Sequence, residues 1–299
     1  MPRIRWLIAV LSIVASGTGL PAQSIGAARG SLVIVGGGPI PDIINRRFVS
    51  LAGGAPSARI VVIPNASADA AAAGMARVAT LAALGVTAVV LDLTRVPSTS
   101  DSAARLLAGA TGIWFSGGLQ GRLAAALLGT PALDSIRARH RAGAVVGGTS
   151  AGAAVMSDPM IVGDERRPGG ARPVADSSAD GWMTIDRDDV VLAPGFGLLP
   201  GVTVDQHFLR RRRHNRLISV ALERAPHLAV GIDESTALIV LPGDRWEVLG
   251  ESQAVVYDAR QARTTGPGTA LGAIGVQLHV LPSGSTWTPM SGAPRLPTR

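Results

Sequence analysis

The chain has 299 residues, of which 47% are hydrophobic, 16% charged and 3% aromatic. It has no cysteine, and all 28 of its basic residues are arginine against 21 acidic ones, for a formal charge of +7. Overall disorder is excluded, and so are disulfide frameworks, Cys-ligated zinc, Cys nucleophiles and all lysine chemistry. The basic balance suggests a polyanion, but the scarcity of aromatic stacking groups argues against nucleic acid as a partner.

Residues 1–22 have the pattern of a secretory signal. Arg3 and Arg5 form a positive start, Trp6 to Ala15 an apolar run, and Leu20-Pro21-Ala22 a small-residue cleavage site. The run is shorter than the roughly 20 residues that span a bilayer. The expectation is an exported protein, secreted or periplasmic, with no membrane association after cleavage. A single domain is expected over 23–299, with its core at about 31–257.

From there the chain alternates between short apolar runs and alanine-rich amphipathic ones. Strands are predicted at Ser31–Val35, Arg59–Ile63, Thr87–Leu91, Gly112–Phe115 and Ala144–Val146. Helices are predicted at Asp69–Leu84, Ser100–Ala108, about Gln120–Leu128, about Pro131–Arg141 and from Ala151 onward. Such alternation indicates α/β architecture: a doubly wound, mostly parallel sheet covered on both faces. Glycines at 36–38, 117–118 and 147–148 fall at carboxyl ends of strands, where such sheets place ligands. The stretch 163–189 is irregular and long for a connection. A strand at Val202–Val204, a helix at about Leu209–Glu223 and a strand at Leu228–Ile232 follow. Antiparallel strands are predicted at Thr236–Leu241, Trp246–Leu249 and Ala254–Tyr257, then an irregular tail at about 280–299.

Gly148-Thr149-Ser150-Ala151-Gly152 fits G-x-S-x-G between an apolar strand and a helix start. That context makes a nucleophile elbow: a tight turn projects the serine hydroxyl over the sheet. The N–H of Ala151, opening a helix, and that of Gly118, at a neighbouring strand end, are candidate oxyanion donors. A glycine-rich phosphate turn is the competing reading of the same segment. A serine needs a base. Of the five histidines, His207 follows a strand end, and Asp233-Glu234 supplies an acid after another. The order Ser, His, acid differs from that of α/β-hydrolases.

Together these segments resemble the peptidase S51 family of cyanophycinase and aspartyl dipeptidase, which has a flavodoxin-like, class I glutamine amidotransferase-like fold. The resemblance is carried by Gly112 through Gln120, Val145 through Ser157, Gly197 through Phe208 with the arginines after it, and Gly231 through Ala237. It implies Ser150 as nucleophile, His207 as general base and Glu234 as the acid that orients it. It also implies Gln120, Asp205, Gln206, Arg211, Arg213 and Arg216 as substrate-pocket positions, with no metal or cofactor. One position departs: the family usually has Asp where this chain has Leu119, whose backbone N–H is still expected to serve an oxyanion.

The implied activity is hydrolysis of cyanophycin, a poly-aspartate carrying arginine on each side chain, to β-Asp-Arg dipeptides through an acyl-enzyme. Arginines would then hold carboxylates bidentately, and Asp205 would hold the substrate guanidinium. Two alternatives remain: a dipeptidase for small α- or β-aspartyl peptides, and a non-catalytic binding module on the same scaffold. A homodimer is compatible with either.

Overall fold

The computed structural model describes residues 30–165, 184–225 and 227–298. The signal-like segment 1–22 and most of the irregular stretch 163–189 lie outside these.

The first half builds a parallel sheet. Strands β1 (Leu32–Val35), β2 (Arg59–Ile63), β3 (Thr87–Val90), β4 (Gly112–Phe115) and β5 (Val145–Thr149) alternate with helices α1 (Asp42–Leu51), α2 (Ala70–Ala82), α3 (Asp101–Ala108), α4 (Gln120–Leu127) and α5 (Pro131–Arg141). A short helix α6 (Ala151–Ala154) follows β5. Polar side chains start three of the helices. Asp69, Ser100 and Thr130 accept from the backbone N–H groups of Ala72, Ala103 and Leu133.

In the second half, β6 (Met160–Glu165) pairs with β7 (Val190–Ala193), and β8 (Val202–Gln206), α7 (His214–Glu223) and β9 (Leu228–Ile232) follow. The chain then forms β10 (Thr236–Leu241), β11 (Arg245–Gly250), β12 (Gln253–Asp258), β13 (Arg263–Thr264), β14 (Ala273–Ile274), β15 (Gln277–Pro282) and β16 (Thr286–Trp287).

The main sheet has the order β16-β11-β10-β1-β5-β4-β2-β3. Its β1, β5, β4, β2 and β3 run parallel, and β10, β11 and β16 are added antiparallel. Both faces are buried, which is why its central strands are apolar throughout. Leu32, Ile34, Val61, Ile63, Ile113 and Phe115 pack on one face with α3 to α6, and Val33, Val35, Ile60, Val62 and Trp114 on the other with α1 and α2. This is the expected doubly wound fold.

Several details differ from expectation. Strand β5 continues through Gly147 and Gly148 instead of stopping at Val146. A Cβ on Gly147 would stand 2.6 Å from the Trp114 ring, so these glycines allow close packing inside the strand. Helix α1 was not anticipated, although Pro41-Asp42 and the spacing of Ile44, Phe48 and Leu51 mark it. The single expected sheet is two: β8 and β9, parallel to each other, belong to a second sheet ordered β15-β12-β9-β8. The tail expected to be irregular from about 280 contributes β15 and β16, paired to β12 and β11. Among the described residues, no helix is long and apolar enough to cross a membrane.

Candidate active site

The two sheets bring the ends of β5, β8 and β9 together. Ser150 follows β5 with φ 53° and ψ −112°, a backbone setting that side chains rarely adopt. Its Oγ lies 2.7 Å from His207 Nε2, and His207 Nδ1 lies 2.6 Å from Glu234 Oε1. With the carboxylate accepting from Nδ1–H, Nε2 is free to accept the serine proton.

The histidine is held on all sides. It too has positive φ, at 49°, and its backbone N–H donates to Gly36 O. The glycine run 36–38 wraps the pair: a Cβ on Gly37 would lie 2.2 Å from His207 Cε1. Asp233, the other acid considered for this role, does not touch the ring. Its Oδ1 accepts from the N–H groups of Leu209 and Arg210, and Ser252 Oγ donates to its Oδ2. It therefore anchors the turn that carries His207. Burial lowers the His207 pKa below the ordinary imidazole value. The Glu234 hydrogen bond opposes this, and the charges of Arg211 and Arg213 add to it.

The remaining histidines pair elsewhere. His140 meets Ala144 O, His214 the Tyr257 hydroxyl, His227 Thr203 Oγ1, and the His279 ring stands edge-on to Trp287.

Ala151 opens α6 beneath the serine, where helix N–H groups have no intrahelical acceptor. Gly117 lies against Ser150, and Gly118 follows it with φ 141°. The expectation for Leu119 is corrected, because its N–H donates to Ala66 O at 2.9 Å and is engaged in the fold.

The substrate-pocket positions divide. Gln120 is buried, and its amide donates to Ile161 O and Val162 O, which ties α4 to β6. Asp205, expected to hold a substrate guanidinium, is instead fully buried under Arg216. The arginine's Nε and Nη2 meet Oδ2 and Oδ1 at 2.7 and 2.5 Å. Arg213 lies 3.6 Å from the same carboxylate and donates to Gln206 O and to the Gln206 side-chain oxygen. Arg213 and Arg216 are each only 1% exposed. Burial opposes ionisation of Asp205, but the two arginines outweigh it and hold its carboxyl below the usual range. The physical reason for the change of role is desolvation: buried guanidinium groups need a counter-charge, and Asp205 supplies it. Arg211 is half-buried and precedes α7, which starts at His214 rather than at Leu209 because residues 208–213 form a turn.

Fold and site define a hydrolase of the doubly wound α/β class. The chain belongs to peptidase family S51, whose model matches residues 32–248. It is 36% identical over 250 residues to a cyanophycinase of Trichormus variabilis, covering 81% of this chain and 78% of the relative. It is 32% identical over 280 residues to a cyanophycinase of Geminocystis herdmanii, covering 88% and 97%. The crystal structure of a peptidase from an acI-B1 Actinobacterium has the same fold, with a TM-score of 0.61, 23% identity and coverage of 88% of this chain and 98% of that one. The protein is thus a peptidase.

Proposed function

We propose that this peptidase is serine-type, acts on cyanophycin and releases β-Asp-Arg dipeptides. The observation that carries the mechanism is the continuous relay from Ser150 through His207 to Glu234, mounted on a turn with positive φ. Ser150 Oγ attacks the scissile carbonyl while His207 Nε2 takes its proton. The N–H groups of Ala151 and Gly118 receive the developing oxyanion. The tetrahedral adduct collapses to an ester on Ser150 as His207 returns the proton to the leaving amine. Water, deprotonated by His207, then hydrolyses the ester, and Glu234 steadies the imidazolium in both halves.

The substrate reading rests on the cyanophycinases to which the chain is similar over most of its length. Arg211 is the arginine we assign to a substrate carboxylate: it is half-buried in the turn that follows His207, and its backbone N–H donates to His207 O at 2.9 Å. Arg211→Ala should raise KM for a carboxylate-bearing substrate more than for its amide; equal effects would remove this role. Residues 1–22 further suggest export, with the mature chain starting near Gln23. An N-terminus still at Met1 in the culture supernatant or periplasm would contradict that.

The deciding experiment is incubation with purified cyanophycin and mass spectrometry of the products. β-Asp-Arg released by the wild type, and none by Ser150→Ala, is the expected result. Cleavage of aspartyl dipeptides with the polymer left intact would move the assignment to a dipeptidase.

A further inference from the structure

A groove of about 770 Å³ lies on the same edge of the main sheet as Ser150, beyond the site described above. Its polar walls come from the segments after β2 and β3 and from α4: Asn65, Ser67, Asp69, Asp92, Arg95 and Arg122. Nothing in the Ser150 chemistry uses it. We propose that this groove is a second substrate-binding site, which takes free carboxylates of an acidic peptide several residues away from the scissile bond. This rests on Ser150 being the point of cleavage.

Three observations converge. The first is position. In the order β5-β4-β2-β3, the ends of β2 and β3 lie two and three strands from the strand carrying Ser150. Strand spacing makes that about 10 and 14 Å, and an extended chain covers it in roughly three to five residues.

The second is continuity. Ser67 lines the groove, and the buried Ala66 beside it touches the turn at Gly118 and Leu119 directly. Leu119 N–H donates to Ala66 O, and a Cβ on Gly118 would stand 2.1 Å from that same oxygen. A chain leaving Ser150 over Gly118 would next meet Ser67 at the groove.

The third is charge. The groove holds two acids and two arginines, and the acids carry hydrogen bonds of the fold. Asp69 Oδ1 caps α2 by accepting from Ala72 N–H. Asp92 accepts from Asn65 Nδ2 and from the Thr94 N–H and hydroxyl. Arg95 approaches Asp92 only at 3.7 Å and is 76% exposed. Arg122 is exposed, and its side chain makes no hydrogen bond or ion pair among the described residues. The groove thus presents to solvent the unpaired guanidinium of Arg122 and that of Arg95, which is only loosely held by Asp92, and guanidinium forks match carboxylates. A polymer with a free carboxylate on every unit can fill the groove and the catalytic site at once, which raises affinity through effective concentration.

The test measures binding against length. Fluorescently labelled β-Asp-Arg oligomers of one, two, four and six aspartate units are titrated into Ser150→Ala protein, with and without Arg95→Ala/Arg122→Ala. Affinity should tighten at least about tenfold from one unit to six. The double substitution should abolish that gain and leave one-unit affinity within twofold. The gain should also shrink as salt is raised. An affinity independent of length, or an equal gain in the double variant, would overturn the proposal. In protein with Ser150 intact, Arg95→Ala/Arg122→Ala should cleave the two-unit oligomer, which has one scissile bond and is too short to reach the groove, at the wild-type rate, since both side chains are remote from the relay. Slower two-unit turnover with unchanged thermal stability would count against a separate site. If wild-type protein cleaves none of these compounds, the catalytic reading fails by itself, and the binding titration still decides the groove.

Discussion

Residues 205–216 feed two polar clusters that differ in every physical respect. His207 joins Ser150 and Glu234 in an open relay, in which the Glu234 side chain keeps 30% of its exposure. Asp205, Arg213 and Arg216 close on one another with 1% exposure or less. The first cluster leaves Ser150 and Glu234 partly exposed. The second leaves nothing for a ligand to replace without stranding a buried charge. Of the arginines that follow His207, Arg213 and Arg216 are therefore internal scaffolding, Arg211 is half-buried, and Arg210 and Arg212 are exposed; the charges of Arg211 and Arg213 still act on His207 by lowering its pKa.

That contrast can be broken by substitution. Ser150→Ala should lower kcat by about 10⁴-fold or more with an unchanged urea midpoint. Glu234→Gln should lower kcat by roughly 10² to 10⁴-fold, again with little effect on stability. Asp205→Asn should do the reverse of Ser150→Ala, removing about 3–5 kcal/mol of folding stability by leaving two buried cations poorly compensated. A stable Asp205→Asn protein, impaired only toward substrates carrying a guanidinium, would put Asp205 in the pocket and end the distinction. Because the Asp205 carboxyl titrates lower in the folded chain than in the unfolded one, its contribution is present above about pH 4 and fades below it. Acid unfolding monitored by circular dichroism should accordingly lose this component in Asp205→Asn.

The pH profile probes the link between the clusters. The base must be neutral, so kcat/KM should rise with pH through an inflection below about 6.5. Removing a nearby positive charge favours the imidazolium, so Arg211→Ala should move that inflection upward. The smallest effect concerns Leu119, which is 59% exposed and occupies the N-cap of α4 with no side-chain cap. Leu119→Asn should stabilise the fold by about 0.5–2 kcal/mol in a denaturant titration.

The parallel half of the fold was legible because each strand is a continuous apolar run and each helix starts and stops at recognisable residues. The G-x-S-x-G turn and His207 were legible for the same reason: both fall just after such runs. What periodicity could not reveal was partnership. Nothing local in the sequence separates Asp233 from Glu234. The choice depends on how β9 ends against Gly37 and Gly38, which lie far away in sequence. The inward turn of Arg213 and Arg216 depends on residues 208–213 forming a turn held by Asp233, so that α7 starts late. Strands β15 and β16 were missed because their residues are half exposed at sheet edges and flanked by Pro and Gly, which leaves little apolar alternation.

The central claim is that Ser150 is the nucleophile and that His207 activates it. A fluorophosphonate probe followed by intact mass and peptide mapping tests this without any assumption about substrate. One adduct on Ser150, greatly slowed by His207→Ala, is the predicted result. No adduct on Ser150, or labelling unaffected by the loss of His207, would contradict it.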